Sequence, residues 1–428
     1  MIIIISISIF TVLLLLGAPV AFCLLVSGAI GILGIAGPNA LFGILESAPM
    51  STLGSFEFIT IPMFILMAQI LTISGIASNL FDATAVWLGK MRGGLAIATT
   101  LTGAAFGALS GSSTASAATL SATSIPAMVK RGYDPDLACG VVAISGTLAM
   151  LIPPSIAIIF YGLLSGDSIA KLLIAGILPG VLVTLTIIAT VLVLVAHNPA
   201  VAPGGRSYPW MEKVRSLRIL GPFAFIFAFV TGTIYLGVAT PVEASVLGAV
   251  ASIFYALALR KLTWLRFYDA VVESLRTTSM IALILICAQI FSYFLTLTQI
   301  PQSLVSLVGS SGLPREVILA LIILLYLVLG CFLDLISTLI LTVPLVLPII
   351  RELGYDSIWF GIVIIVVAEI GLITPPVGLN VFVVSKYAAV PVGRVFRGIV
   401  PHFIAHLVVI GLLCVFPAIV LWLPGFVN

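Results

Sequence analysis

Apolar residues in this chain come in long unbroken runs, with no strand-like alternation between polar and apolar positions. The runs cover residues 1–17, 19–36, 55–75, 171–196, 219–238, 243–260, 277–297 and 399–424. Their lengths lie near the roughly 20 residues a helix needs to cross a bilayer. Lipid offers a backbone no hydrogen-bond partners, so each run is expected to be a helix that bonds within itself. Two further regions differ. Residues 93–129 form two apolar arms around Ser110-Gly111-Ser112-Ser113-Thr114, and residues 316–350 form two arms around Gly330 to Thr338. After each comes an apolar run broken near its middle by a proline pair, Pro153-Pro154 and Pro375-Pro376.

These features repeat. With an offset of 222 residues, Pro19 falls on Pro241, Pro126 on Pro348, Pro153-Pro154 on Pro375-Pro376, and Pro179 on Pro401. Gly132-Tyr133-Asp134 falls on Gly354-Tyr355-Asp356 at the same offset. Five coincident prolines compare with roughly 0.6 expected by chance from the 24 present, so the chain reads as a duplication.

Composition excludes a soluble fold. Of 428 residues, 61% are hydrophobic and 8% charged, against roughly 45–50% and about 25% in soluble domains. No stretch is polar enough for a separate soluble domain. The N-terminus is apolar from Ile2 without a basic leader, which reads as a retained span and not a cleaved signal. Cys23, Cys139, Cys287, Cys331 and Cys414 sit singly in apolar runs and read as packing residues.

Charge position orients the halves. Suppose both ends of the first hairpin face the cytoplasm. Counting spans then puts 15 of the 18 Lys and Arg inside, including Arg206 in the 197–218 loop, and only Lys171, Arg315 and Arg351 outside. The second hairpin then opens from the opposite side, so the repeats are inverted. That topology accounts for the basic 206–218 loop without nucleic acid.

Inverted repeats with broken helices near the midplane are the layout of secondary transporters. A break frees carbonyls and amides that survive in a membrane only where they line a cavity or hold an ion. In repeat one, Ser110 and Ser112 offer oxygens opposite carbonyls of Ala149, Ile152 and Pro154. In repeat two, the tip from Gly330 faces Gly371 to Val377, with Thr374 at the position of Ile152. Two equivalent cation sites are expected. An anionic cargo should meet half-helix N-termini such as the one at Ser155.

Asp334 matches Ser112 in the repeat, and an intramembrane carboxylate is functional by default. Its readings are a cavity-facing coupling role or capping within the tip. Ser113 and Thr338 join Ser155 and Asp334 as candidates for substrate contact or coupling. Glu369 reads equally as a structural hydrogen-bonding group or a transport residue, and Glu243 as a helix cap. His402 and His406 share a face of a helix end, with no acidic partner to suggest a metal site. The chain has no GxxxxGK[ST], HExxH or GxSxG motif.

Several stretches together resemble the large membrane subunit of tripartite ATP-independent periplasmic (TRAP) transporters, the DctM-like family. They are Phe106 to Ser113 (FGALSGSS), Met128 to Asp134 (MVKRGYD), Leu151 to Ser155 (LIPPS), Ile234 to Ala244 (IYLGVATPVEA), Gly330 to Asp334 (GCFLD) and Gly371 to Asn380 (GLITPPVGLN). The resemblance implies an all-α polytopic membrane protein of the bacterial inner membrane. It would be an inverted-repeat, elevator-type secondary transporter with two re-entrant helical hairpins and two broken helices. It also implies Na⁺-coupled uptake of organic acids, such as sialic acid, C4-dicarboxylates or related carboxylates and sulfonates.

The implied partners are a small four-helix membrane subunit and a periplasmic substrate-binding protein. Na⁺ is the implied coupling ion, with no organic cofactor and no enzyme activity. By motif matching the sodium sites carry over to Ser110, Ser112, Ala149, Ile152 and Pro154, and to Gly330, Gly371, Thr374 and Val377. The family commonly has Gly where Ala149 stands, a change that keeps a carbonyl ligand but loses backbone freedom.

The expected mobile domain is residues 90–166 plus 315–390, where the hairpins and breaks lie. Residues 1–89, 167–314 and 391–428 form the expected scaffold. Two competing readings are a stand-alone Na⁺/dicarboxylate symporter or ion exchanger, and an intramembrane enzyme. An exchanger calls for more buried ionisable groups than Asp334 and Glu369, and an enzyme for a nucleophile–base or metal constellation that the spans do not offer.

Overall fold

The computed structural model describes residues 1–205 and 207–426, so Arg206 lies outside the described residues. The first half holds α1 (Ile2–Leu15), α2 (Val20–Leu53), α3 (Thr60–Ile73), α4 (Ile76–Leu88), α5 (Gly94–Ser110) and α6 (Ser113–Lys130). It continues with α7 (Pro135–Thr147), α8 (Ile156–Ser165), α9 (Ile169–Ala175) and α10 (Ile177–His197). The second half holds α11 (Trp210–Tyr235), α12 (Pro241–Ala258), α13 (Trp264–Thr298), α14 (Ile300–Ser310) and α15 (Arg315–Gly330). It ends with α16 (Leu335–Glu352), α17 (Ser357–Gly371), α18 (Leu379–Ala388), α19 (Val392–Val415) and the short α20 (Ala418–Leu421). There is no strand among the described residues. Among the described residues, seven helical stretches are long and apolar enough to cross a bilayer.

The duplication is visible in the helix boundaries. Shifted by 222 residues, α6 lands on α16 end for end, and the first residues of α7 and α17 coincide. The Gly-Tyr-Asp turns explain why. Gly132 and Gly354 take positive φ of 81° and 76°, which a Cβ disfavours, and so stop α6 and α16. Two residues later Asp134 and Asp356 cap α7 and α17, accepting from Asp136 N at 2.7 Å and Trp359 N at 2.9 Å.

Contacts at the two ends fix the direction of each element. At the basic end, Asp134 N donates to Val201 O (2.9 Å), Arg131 to the Tyr208 hydroxyl (3.0 Å), and Arg394 pairs with Asp136 (2.6 Å). At the other end, Tyr161 donates to Ser357 O (2.6 Å), Ser357 to Asp167 (2.8 Å), and Arg351 to Ser165 O (3.1 Å). The open ends of the α5–α6 hairpin therefore lie at the first end. The α16–α17 turn of the second hairpin lies at the opposite end, as inverted repeats require.

Packing divides the helices. α1–α3 and α11–α13 pack on one another, with α2 on α13 and α3 on α12. Each hairpin sets its first arm on its own broken helix, α5 on α7 and α15 on α17. The second half of each broken helix crosses to the other repeat, α8 against α16 and α18 against α6. α19 packs on α7, α10, α17 and α18, and α10 on α5 and α7. Trp359 fixes the α17–α19 register by donating to Leu413 O at 2.9 Å.

Several span limits differ from the sequence reading. The run at 19–36 continues to Leu53 as α2, across a backbone break at Gly37 (φ 82°) before Pro38. The run at 399–424 begins earlier, at Val392, and ends at Val415, because Phe416 leaves the helical region before Pro417. Residues 277–297 are the end of a 35-residue helix that starts at Trp264.

Candidate functional site

The first tip is two residues long. Gly111 ends α5 in the left-handed region (φ 58°), and Ser112 caps α6 by accepting from Ala115 N at 3.4 Å. Ser110 Oγ lies 2.7 Å from Ser116 Oγ, and Ser112 Oγ lies 3.3 Å from Thr114 Oγ1. Small residues let this hairpin sit on its broken helix. A Cβ on Gly107 would stand 2.8 Å from Ala149 Cα, and one on Gly111 would stand 3.3 Å from Ile156 N. The tip thus lies over the whole break, and Ser110 and Ser112 flank Gly111 there.

The break itself follows from proline. In a continuous helix, residue 153 would donate to Ala149 O and residue 154 to Met150 O; proline has no N–H. The hydroxyl of Ser155 takes over Met150 O, while also capping α8 by accepting from Ile158 N at 3.4 Å. Among the described residues, no N–H outside the regular helices donates to the carbonyls of Ala149, Ile152 or Pro154. The Pro153-Pro154 and Pro375-Pro376 bonds are both cis.

Repeat two solves the same problem differently. Pro375 and Pro376 cannot donate to Gly371 O and Leu372 O. Thr374 N reaches Gly371 O at 3.0 Å, and Asn380 N reaches Leu372 O at 3.1 Å. Thr374 Oγ1 donates to Ile370 O at 2.6 Å. The tip meets this break backbone to backbone, since a Cβ on Gly371 would lie 2.5 Å from Gly330 Cα. Gly330 and Gly371 are therefore together. Pro375, Pro376 and Val377 are exposed, and Thr374 is half-buried.

Asp334 caps α16. Its carboxylate accepts from Ser337 N at 3.3 Å and from the Ser337 hydroxyl. Thr338 lies within α16, not at the tip, and its hydroxyl donates to Asp334 O at 3.0 Å. Residues 112 and 115 become 334 and 337 at the 222 offset, so the neutral Ser112 and the charged Asp334 make the same cap. The two repeats also touch here: the fully buried Asn380 donates from Nδ2 to Ser113 Oγ. Sequence reading quoted Asn380 in a motif but gave it no role.

Of the other ionisable groups, Glu243 closes a capping box, with Thr240 N donating to its carboxylate at 2.8 Å. His402 and His406 are fully buried rather than at an amphipathic helix end, and His406 Nδ1 lies 3.1 Å from His402 O. Glu369 is also buried, with no hydrogen-bond partner for either oxygen among the described residues. A cavity of about 910 Å³ at the less basic end is lined by α2, α8, α9, α12, α13 and Pro344 of α16. None of the candidate residues above lines it.

An all-helical, multi-pass chain built from two oppositely directed halves, with two hairpin tips set on two broken helices, defines a membrane permease. Residues 7–419 match the family described as "Tripartite ATP-independent periplasmic transporter, DctM component". The C4-dicarboxylate TRAP transporter large permease protein DctM of Pseudomonas aeruginosa is 36% identical over 376 residues, 87% of each chain. The ectoine/5-hydroxyectoine TRAP transporter large permease protein UehC of Ruegeria pomeroyi is 32% identical over 96% of each chain. Among solved structures, the Alcanivorax borkumensis YdaH transporter shares the fold, with a TM-score of 0.68 at 15% identity over 90% of each chain. The chain belongs to the DctM family: it is the large permease component of a TRAP transporter, an integral multi-pass membrane protein and not an enzyme.

Proposed function

We propose that this permease couples inward Na⁺ movement to uptake of an organic acid, such as a C4-dicarboxylate or another small carboxylate or sulfonate. A periplasmic binding protein delivers the cargo, and a small membrane subunit completes the assembly. The observation that carries this reading is the pair of proline-broken helices, each met by a hairpin tip. Carbonyls and hydroxyls with few charges nearby suit Na⁺, a hard cation that takes oxygen ligands. Ser110, Ser112, Ala149, Ile152 and Pro154 form the first site, and Gly330, Gly371, Thr374 and Val377 the second. The cargo anion meets the α8 N-terminus at Ser155, where the free amides and helix dipole favour negative charge. Cargo is proposed to sit between the tips, near Ser113, Asp334 and Thr338.

Movement is of the elevator type. The moving body is residues 90–166 and 315–390, sliding against α1–α3 and α11–α13. The packing of α10 and α19 on α5, α7, α17 and α18 supports adding those two helices to the moving body.

The test is uptake of labelled organic acids into reconstituted vesicles, with candidate binding proteins added one at a time. Replacing Na⁺ by K⁺ is expected to abolish uptake. Undiminished uptake in K⁺ alone, with no proton gradient, overturns Na⁺ coupling. Full uptake without any binding protein favours a stand-alone symporter.

A further inference from the structure

We infer that Asn380 is a positioning residue that joins the two half-sites, so that a cation bound in one repeat organises the other. The inference rests on the Na⁺-coupled reading above. Three observations meet at this residue. Its backbone N–H bonds Leu372 O at 3.1 Å, the carbonyl that Pro376 leaves free, and so closes the second break. Its side chain donates to Ser113 Oγ, on the first residue of α6 and next to the Ser112 cap, 267 residues away in sequence. Its Oδ1 is buried with no partner among the described residues. One residue therefore shapes the second break, grips the first tip, and keeps an unused polar atom between them.

The repeat provides an internal control. At the 222 offset, Asn380 corresponds to Ile158 and Ser113 to Leu335. Both are apolar and buried, on α8 and α16, the helix pair that mirrors α18 and α6. The equivalent positions on that helix pair are thus apolar. A buried amide with an unsatisfied oxygen is unfavourable beside such a pair, and an apolar replacement of both partners is close to neutral. Stability alone does not call for the polar pair. Its chemistry is that of a link: moving the first tip pulls on Asn380, and Asn380 carries the backbone around the second break. The free oxygen is available to the bound species, as a ligand to a cation or an acceptor for a cargo hydroxyl.

The test needs no cargo. Equilibrium binding of labelled Na⁺ to the purified permease is followed as Na⁺ replaces K⁺ at constant total salt. The wild type is expected to respond with a Hill slope above one, because a link makes the two sites cooperative. Asn380→Ala and Ser113→Ala are each expected to lower the slope to about one and raise the Na⁺ midpoint roughly tenfold. The double variant should be no worse than the worse single one, as for two partners in one interaction. Should the alanine variants fail to fold, Asn380→Ile with Ser113→Leu copies the equivalent residues, Ile158 and Leu335. It is expected to melt normally in K⁺ while losing cooperativity. A wild type that responds to Na⁺ while these variants keep its slope and midpoint overturns the link. Failure of the Ile–Leu pair to fold also counts against it, since the equivalent positions on α8 and α16 carry those residues. A wild type that does not distinguish Na⁺ from K⁺ overturns the Na⁺-coupled reading itself.

Discussion

Gly371→Ala tests the close approach of the second tip to the second break. The new Cβ would lie 2.5 Å from Gly330 Cα and C, and 2.9 Å from Gly330 O. Carbon atoms pack without repulsion at about 3.5–4.0 Å, so the two backbones must part by roughly 1 Å. Both contact residues are glycines, so no flexible side chain can move aside. Overpacking of this kind costs about 1–3 kcal/mol. The carbonyl of residue 371 survives the change, so the effect acts through spacing and not through loss of a ligand.

Asp334 lies four residues beyond Gly330, and Thr374 three beyond Gly371, so the displacement passes into the second site. If the cost falls on the ion-loaded arrangement, the half-saturating Na⁺ concentration rises by about 5- to 150-fold, taking 1.4 kcal/mol as a factor of ten. Labelled-cargo uptake against external Na⁺ reads this directly, with monodispersity checked in parallel. Gly411→Ala is the control, because a Cβ there meets nothing within 4 Å; its Na⁺ curve should match the wild type. A well-folded Gly371→Ala protein with the wild-type Na⁺ midpoint would refute the spacing argument.

Two further predictions concern caps. Asp334→Ser substitutes the residue that makes the same cap in repeat one, so the protein should fold normally while cargo uptake falls at least roughly tenfold. An intramembrane carboxylate is functional by default, and wild-type uptake with unchanged Na⁺ dependence would reduce Asp334 to a cap. Thr240→Ala breaks the capping box at the start of α12 and should cost about 1 kcal/mol. A differential melting scan should show a fall of a few degrees at most, with Na⁺ dependence unchanged.

Local features were legible in the sequence and long-range ones were not. Helix stops depend on nearby residues: Gly132 and Gly354 end helices, Asp134 and Asp356 start them, and the proline pairs break them. Each acts on bonds within four residues, so the proline breaks and the repeated Gly-Tyr-Asp stretches could be located from the sequence alone. The run from 19 to 36 ends where the backbone breaks at Gly37; the helical stretch beyond it, to Leu53, is interrupted by Asn39, Glu46 and Pro49 and so does not read as an apolar run. The crossing of α8 to α16 and of α18 to α6 was invisible for a different reason. A helix that faces lipid on one side and protein on the other is apolar all round, so its sequence does not say which face packs against what. Asn380 went unassigned because its partner, Ser113, stands 267 residues away.

The duplication lets the two repeats be compared as a substitution experiment. At the 222 offset, the equivalent pairs α6 and α16, α7 and α17, and α8 and α18 begin within one residue of each other, so their backbone needs little beyond what both halves contain. The sites differ at a few equivalent positions: Ser112 against Asp334, Ala149 against Gly371, Ser113 against Leu335, and Ile158 against Asn380. In the first pair the cap is kept and a charge is added. In the second a Cβ is removed, and the second tip meets its break glycine to glycine. In the last two an apolar junction faces a polar one. A structural role is already filled by the residue in the other repeat at each position, so what remains for the difference to do is chemical. The first tip and break offer hydroxyls and unclaimed carbonyls; the second offer a carboxylate and a glycine-to-glycine contact. If the proposed Na⁺ sites are built on this one plan with different charge, they need not have equal affinity, and the Asn380 amide between them sets the order in which they fill.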